Sequence, residues 1–409
     1  MSLDTATAND VPFLDLSDPN FSMDSAEARA ARAQSWYART PYGLAVLRYE
    51  EMSKLLKNRK LRQGSYAWPE KNGVTDGLFH QFWRTAVINY EGPDHARLRR
   101  LHNPGFSPRL IDGLVPRFQA LANELIDAFI DRGECDFVAE FAEPYAARVI
   151  SILLGIPESE WKTIASWSSA VGLALTVTIR DDLDEIEKAL AGLYGYADDL
   201  IADRTANPGD DFTTKLVQAA RDESTITHDE LRTALAHAIF AGMDTTRNQL
   251  SLALTTFIDH PDQWKLLAQR PELGRAAVEE VMRVAPTVTW VTREALEDFE
   301  FQGVHIAKGT TVHLLNGLAG TDDTDGAEVS FDITAERRPQ LGFGGGMHHC
   351  LGHFVARSDM SEALHLLAQR LTSPRRLPGD RWLPDSGNTG PSVLPIAFTP
   401  GACAGSTPT

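Results

Sequence analysis

The stretch from Thr227 to Pro261 constrains the fold of this chain more than any other. Thr227-His228-Asp229-Glu230 has the spacing of a capping box, in which the threonine caps the first turn and Glu230 reaches back to it. The helix so started runs through Leu231 to Asp259 and stops at His260-Pro261. At ~1.5 Å per residue it is a rod of roughly 45 Å, about the span of a whole domain. One side is almost wholly apolar (Leu235, Ile239, Phe240, Leu250, Leu252, Leu254, Phe257), so a mainly α fold is expected to pack around it.

At the centre of this apolar run stand Asp244, Thr245 and Thr246, directly after Ala241-Gly242-Met243. An acid and two β-branched alcohols are poor helix formers in costly surroundings. Two readings stand open. In one, the threonines bond back to carbonyls one turn earlier and Asp244 pairs with Arg247. In the other, the helix opens at Thr245 beside a small-molecule cavity, Gly242 removes bulk, and Asp244 and Thr245 relay protons.

Elsewhere, Ser25 to Arg39 reads as an amphipathic helix, and Gly43 to Tyr49 as a strand leading into a helix over Glu50 to Lys57. The aromatic-rich segment Gln63 to Glu91, which includes Trp83, reads as a long loop with one short helix. Phe118 to Asp222 is helical by pattern. Glu280 and Arg283 lie three apart on an otherwise apolar short helix, Ala276 to Val284, which suggests a buried network in place of the usual surface pair. Asp298 to Gly303 and Thr310 to Leu315 read as the arms of a hairpin, with Arg293 just before it and Val288, Thr289 and Trp290 upstream. A turn over 386–390 separates short strands near the end. The whole describes one domain over 1–409, mainly α with a minor β region, loose over 1–20 and 401–409.

Charge and cysteine usage narrow the function classes. The net charge of −17 argues against nucleic acid as a partner, and no run is long and apolar enough to span a bilayer. Cys135, Cys350 and Cys403 are far apart and odd in number, which points to a reducing cytoplasm without a disulfide framework. Against this acidic background the sign reverses over Asp94 to Arg117, where His95, Arg97, Arg99, Arg100, His102, Arg109 and Arg117 outnumber Asp94 and Asp112. A solvated helix face is one reading. The other is that His95 and Arg99, four apart on one face, grip an anionic group while the neighbouring arginines face an acidic partner.

The last feature is Leu341 to Gly352, in which Gly342, Gly344, Gly345, Gly346 and Phe343 crowd the approach to Cys350. A helix read from Leu351 to Leu371 places Cys350 at a helix N-terminus, where dipole and first-turn amides favour a thiolate, and a thiolate is a metal ligand. A buried structural cysteine is the alternative. A zinc site from His348, His349 and Cys350 fails, because adjacent residues cannot readily point at one metal and no second ligand cluster appears.

Taken together, these residues resemble the cytochrome P450 superfamily of haem-thiolate monooxygenases, in particular its soluble bacterial members. Phe343, Gly346, His348, Cys350 and Gly352 match the family's cysteine-loop pattern. Ala241 to Thr246 matches its oxygen-activation segment, Glu280 and Arg283 its Glu-x-x-Arg pair, and Asp94 to Arg100 the helix that holds a haem propionate. The resemblance implies the cytochrome P450 fold, with a long central helix over the haem, a cysteine-ligand loop and small β-sheets. It implies haem b with Cys350 as axial iron ligand, and Ala241, Phe343, Gly344 and Gly352 beside the cofactor. His95, Arg99, Arg293 and His348 would hold the propionates.

By the same resemblance, Asp244 and Thr245 deliver protons during dioxygen activation, and Glu280 with Arg283 is a structural pair. Trp83, Val288, Thr289, Trp290 and Thr389 stand where family members contact substrate. Where many bacterial relatives have a histidine before the loop, this chain has Gln340. Electrons would come from NAD(P)H through a ferredoxin docking near Arg97, Arg100 and Arg109, and the substrate would be a small apolar or amphipathic molecule. A peroxide-using or isomerase-type haem-thiolate enzyme and a haem-thiolate sensor are the alternatives.

Overall fold

A computed structural model describes residues 11–401 apart from 19, 176–178, 224, 323–328 and 386. Cys403 and most of the two ends expected to be loose lie outside the described residues. The chain divides into two compact units: Met1–Ser65 with Ala276–Cys350 and Arg381–Ser392, and Tyr66–Arg275 with Leu351–Asp380 and Val393–Thr409.

The first unit is built on a five-stranded sheet in the order Tyr37–Thr40, Gly43–Val46, Thr311–Leu315, Trp290–Ala295, Leu61–Gln63. Only the Gly43–Val46 and Thr311–Leu315 pair is parallel. Successive residues of a strand face opposite sides, and here both sides are covered. Leu44 and Val46 join a cluster with Met52, Leu55, Val312 and Leu314, whereas Ala45 and Leu47 join another with Leu14, Ala28, Ala31 and Leu318. This is why Gly43 to Leu47 is continuously apolar.

Two expectations change in this unit. The first helix is shorter than its pattern, Ala26–Gln34, capped by the Ser25 hydroxyl accepting from the Ala28 amide at 3.1 Å. Tyr37–Thr40 is a strand because pairing with Gly43–Val46 buries Ala38. The hairpin joins Phe299–Phe301 to Val304–Ile306, turning at Gln302 and Gly303 with φ of 49° and 77°. Thr311–Leu315 belongs instead to the large sheet, where Val312 and Leu314 are fully buried.

The second unit is helical. The long helix spans His228–Asp259, with both arms of the Thr227/Glu230 capping box formed and His260 as its C-cap. It packs among helices Glu143–Leu154, Trp161–Gly172 and Leu183–Ala206. Gly242 permits the first of these contacts, since a Cβ there would lie 2.4 Å from Ile150 Cδ1. The expected loop of Gln63 to Glu91 carries helices Trp68–Lys71 and Gly77–Thr85, because Phe79, Phe82 and Trp83, at i, i+3 and i+4, form one buried face. Helix His353–Arg370 begins two residues later than expected, and strands Glu134–Asp136, Pro395–Pro400 and Leu371–Arg376 make a small sheet. Among the described residues no helix is long and apolar enough to cross a membrane.

Candidate active site

The motif residues divide between the units, and each group is organised by its own neighbours. In the first unit the cysteine loop is closed by its own backbone. The Gly344 amide donates to the Leu341 carbonyl at 2.8 Å, His349 to Gly346 at 3.3 Å, and Cys350 to Phe343 at 2.9 Å. Gly346 must be glycine on two counts: its φ is +67°, and a Cβ would stand 2.6 Å from the Leu56 carbonyl oxygen. Cys350 is half-buried and stands three residues ahead of the helix. Its amide therefore serves the loop, and the helix N-terminus expected at Cys350 lies two residues further on. Gly352 is the helix N-cap.

Gln340 braces this loop from outside. Its side-chain oxygen accepts from the Gly342 amide at 2.6 Å, and its side-chain nitrogen donates to Glu279 at 3.2 Å. Phe343 and Arg293 are buried, and the Arg293 guanidinium donates to the Gln63 side chain and the Thr292 carbonyl. His348 is half-buried on the turn Gly346–His348. Glu280 and Arg283, each only 4% exposed, form two hydrogen bonds of 2.7 and 2.8 Å. Arg283 also donates to the Gly320 and Ser330 carbonyls, and Glu280 accepts from the Asp332 amide.

Of the residues read as substrate contacts in this unit, Thr289 is buried and uses its hydroxyl to accept from the Gly387 amide at 2.9 Å. The Thr389 hydroxyl donates to the Leu383 carbonyl at 3.1 Å. Val288 bridges to Asn388, and Trp290 is half-buried. The Thr289 hydroxyl thus ties 287–289 to 383–389, and the Thr389 hydroxyl closes the second segment on itself.

In the second unit His95 and Arg99 occupy helix Gly92–His102, His95 buried and Arg99 half-buried. Of the patch read as facing a partner, Arg97 donates two hydrogen bonds to Glu230, at 3.1 and 2.5 Å, and the Arg97 bond holds the Glu230 carboxyl below its usual pKa. Arg100 lies 3.6 Å from Glu223, and Arg109 is exposed. Trp83 is buried beside Phe79, ring centroids 5.8 Å apart.

On the long helix the Thr245 hydroxyl donates to the Ala241 carbonyl at 3.0 Å, and Arg247 reaches Asp244 at 3.3 Å. Burial raises the Asp244 pKa, with Arg247 opposing. The bonds of the structural reading are therefore present. The helix does not open at Thr245, and Gly242 serves packing against Ile150, which corrects two parts of the other reading; Ala241 is nevertheless exposed and Asp244 and Thr245 half-buried, with Phe240 and Met243 buried beside them. One turn earlier on the same face lies His237, which motif spacing does not single out but i, i+4 spacing to Ala241 could have.

A sequence profile of the cytochrome P450 family matches residues 174–269 and 262–324. Luteothin monooxygenase of Streptomyces thioluteus is 39% identical over 393 residues, covering 95% of this chain and 96% of the relative. Mycinamicin IV hydroxylase/epoxidase of Micromonospora griseorubida is 32% identical over 370 residues, 88% of this chain and 91% of the relative. Among solved structures, that of CalO2 superposes with a TM-score of 0.83 at 28% identity, covering 93% of this chain and 99% of that one. The chain belongs to the cytochrome P450 family. It is an oxygen-incorporating oxidoreductase, a monooxygenase, and the family's chemistry brings haem iron, dioxygen and reducing equivalents.

The residues present fit that cofactor. The first unit supplies a half-buried thiol on a closed glycine loop with an imidazole and a guanidinium, and the second supplies, by itself, an imidazole, a guanidinium and an accessible alanine, donor types that suit a thiolate-ligated haem and its carboxylates.

Proposed function

We propose that this chain, as one catalytic domain over 1–409, binds haem b through Cys350 and inserts one oxygen atom into a small apolar or amphipathic molecule in the cytoplasm. Haem held by a thiolate supplies the dioxygen chemistry. His95, Arg99, Arg293 and His348 bind its propionates. Phe343, Gly344 and Gly352 shape the ligand loop, and Ala241 leaves room beside the cofactor. Glu280 and Arg283 hold the fold around that loop. Asp244 and Thr245 hold and pass protons, Thr245 from an oxygen already oriented by the Ala241 carbonyl.

The observation that carries the reading is the accessible face made by Ala241, Asp244 and Thr245 on a helix otherwise packed at its centre. An intact acid and alcohol there favour a dioxygen-using enzyme over peroxide-using, isomerase-type or sensor relatives, which need no proton delivery. Relatives named for luteothin and mycinamicin IV support a natural-product substrate. Trp83, Val288 and Trp290 remain candidate walls for it, whereas the engaged hydroxyls of Thr289 and Thr389 favour a framing role. Electrons come from NAD(P)H by way of a ferredoxin. Arg109, exposed, is a better candidate for docking it than Arg97 or Arg100, which already face Glu230 and Glu223.

The ferrous carbonyl spectrum tests the ligand. The red-shifted thiolate band is expected in the native protein and absent in Cys350→His; a band unchanged by that substitution would sink the assignment. Spectral titration of the ferric protein with a compound library, followed by product analysis, then identifies the substrate.

A further inference from the structure

His237 lies on the long helix one turn before Ala241, so that His237, Ala241, Asp244 and Thr245 follow one face at i, i+4, i+7 and i+8. Its ring packs against Phe82, centroids 5.4 Å apart, and Phe240, 6.0 Å apart, and Phe82 in turn meets Tyr194 at 6.2 Å. Nδ1 is buried with no hydrogen-bond partner among the described residues. The residue as a whole is only half-buried, and of its two ring nitrogens Nδ1 is the one enclosed without such a partner.

Burial, with a smaller contribution from His102, drives the His237 pKa down to about 4. The ring is therefore neutral at pH 7, with one N–H and one lone pair. With nothing for an Nδ1–H to donate to, the proton belongs on Nε2. The neighbouring His102 is different: it is buried with Nδ1 2.8 Å from the Leu98 carbonyl. An imidazole fixed between aromatic rings with a donor left over is costly unless something meets that donor. The strip on which it stands is the one left accessible beside Asp244 and Thr245.

We propose that His237 is a specificity-determining residue, whose Nε2–H donates a hydrogen bond to an oxygen acceptor, a carbonyl above all, on an otherwise apolar substrate. Phe82 and Phe240 hold the ring in place, and Ala241 leaves the space in which the substrate lies. A site built to hydrogen-bond one oxygen discriminates strongly against the analogue that lacks it, because the donor is then left unmet. The inference rests on reading this face of the helix as a wall of the substrate chamber and adds the substrate's chemical class.

The experiment titrates the ferric holoenzyme with a matched pair of probes, 4-phenylcyclohexanone and phenylcyclohexane, following the absorption change of the haem. The ratio of dissociation constants, hydrocarbon over ketone, is expected to fall about tenfold in His237→Phe and only about twofold in His237→Gln, which retains an amide donor. His237→Leu provides a second variant without a donor, and the ferrous carbonyl spectrum checks that each variant is loaded. A ratio unchanged in His237→Phe and His237→Leu overturns the proposal. So does an equal loss of affinity for both probes, which marks a space-filling role, and so does the absence of any ketone response in the native protein. Binding is read without oxygen or an electron donor, so failure here leaves the coupling experiment at Thr245 to judge the monooxygenase chemistry separately.

Discussion

Thr245 shows how a single hydroxyl can satisfy the helix and remain chemically available. Its proton is directed at the Ala241 carbonyl, which fixes the rotamer, and its oxygen lone pairs stay on the accessible strip. Replacing it with Ala should let oxygen consumption continue while product per oxygen consumed falls by about tenfold or more, with peroxide making up the difference. Thr245→Ser should retain most of the coupling; an oxygen electrode with a peroxide assay reads both. The two titratable neighbours act on stability in opposite senses. Burial raises the folded pKa of Asp244, so its contribution is present in acid and lost as pH rises from ~4 through the raised value. His237 is lowered to about 4, so its contribution is full above pH ~6.5 and lost as pH falls through that window. Urea midpoints between pH 4 and 7 should therefore lose part of their alkaline decline in Asp244→Asn and part of their acid decline in His237→Phe. Asp244 and Thr245 were legible in the sequence because their residue types clash with an apolar helix. His237 was legible only as a residue at i, i+4 to Ala241; the ring packing that singles it out involves Phe82, far away in the chain.

Among the elements, those with strong local signals read correctly and those defined by distant partners did not. The capping box and His260-Pro261 fix the long helix from residues within it. Thr311–Leu315 looked like a hairpin arm because nothing local tells a strand which neighbour it will bury against, and the apolar cluster around Leu44 and Met52 decides that. The aromatic segment before Tyr90 concealed the Phe79-Phe82-Trp83 stripe because the helix that carries it is only 9 residues long. Helix Gly274–Val284 offers a sharp energetic prediction through its buried pair. Removing one partner of a buried, hydrogen-bonded ion pair strands the other, so Arg283→Ala or Glu280→Ala should each destabilise by about 3–5 kcal/mol in urea unfolding. The double variant should cost much less than the sum of the two.

For the whole molecule, the dominant quantity is a net charge of −17 with a basic stretch around Arg109. Like-charged proteins associate slowly unless a local patch overrides the mean field, and such a patch loses its reach as salt shortens the Debye length. Reduction by an acidic ferredoxin should slow several-fold in Arg109→Glu at low ionic strength, and the difference should vanish near 1 M salt, where the Debye length is ~3 Å. Stopped-flow reduction at varied salt decides it; a rate indifferent to both salt and charge reversal would place docking elsewhere. Arg97, by contrast, should behave as a structural residue, since its loss would free helix Gly92–His102 from Glu230 at the start of the long helix.

The cysteine loop holds its own shape. Its turns are set by hydrogen bonds among Leu341, Phe343, Gly344, Gly346, His349 and Cys350 and by the Gln340 side chain. The entropy lost in ordering those residues is thus offset by bonds internal to the loop and its immediate flank. The thiol's position accordingly depends on glycines and a glutamine that act on the loop's backbone, so that exchanges there should blur the site while leaving its chemistry in place.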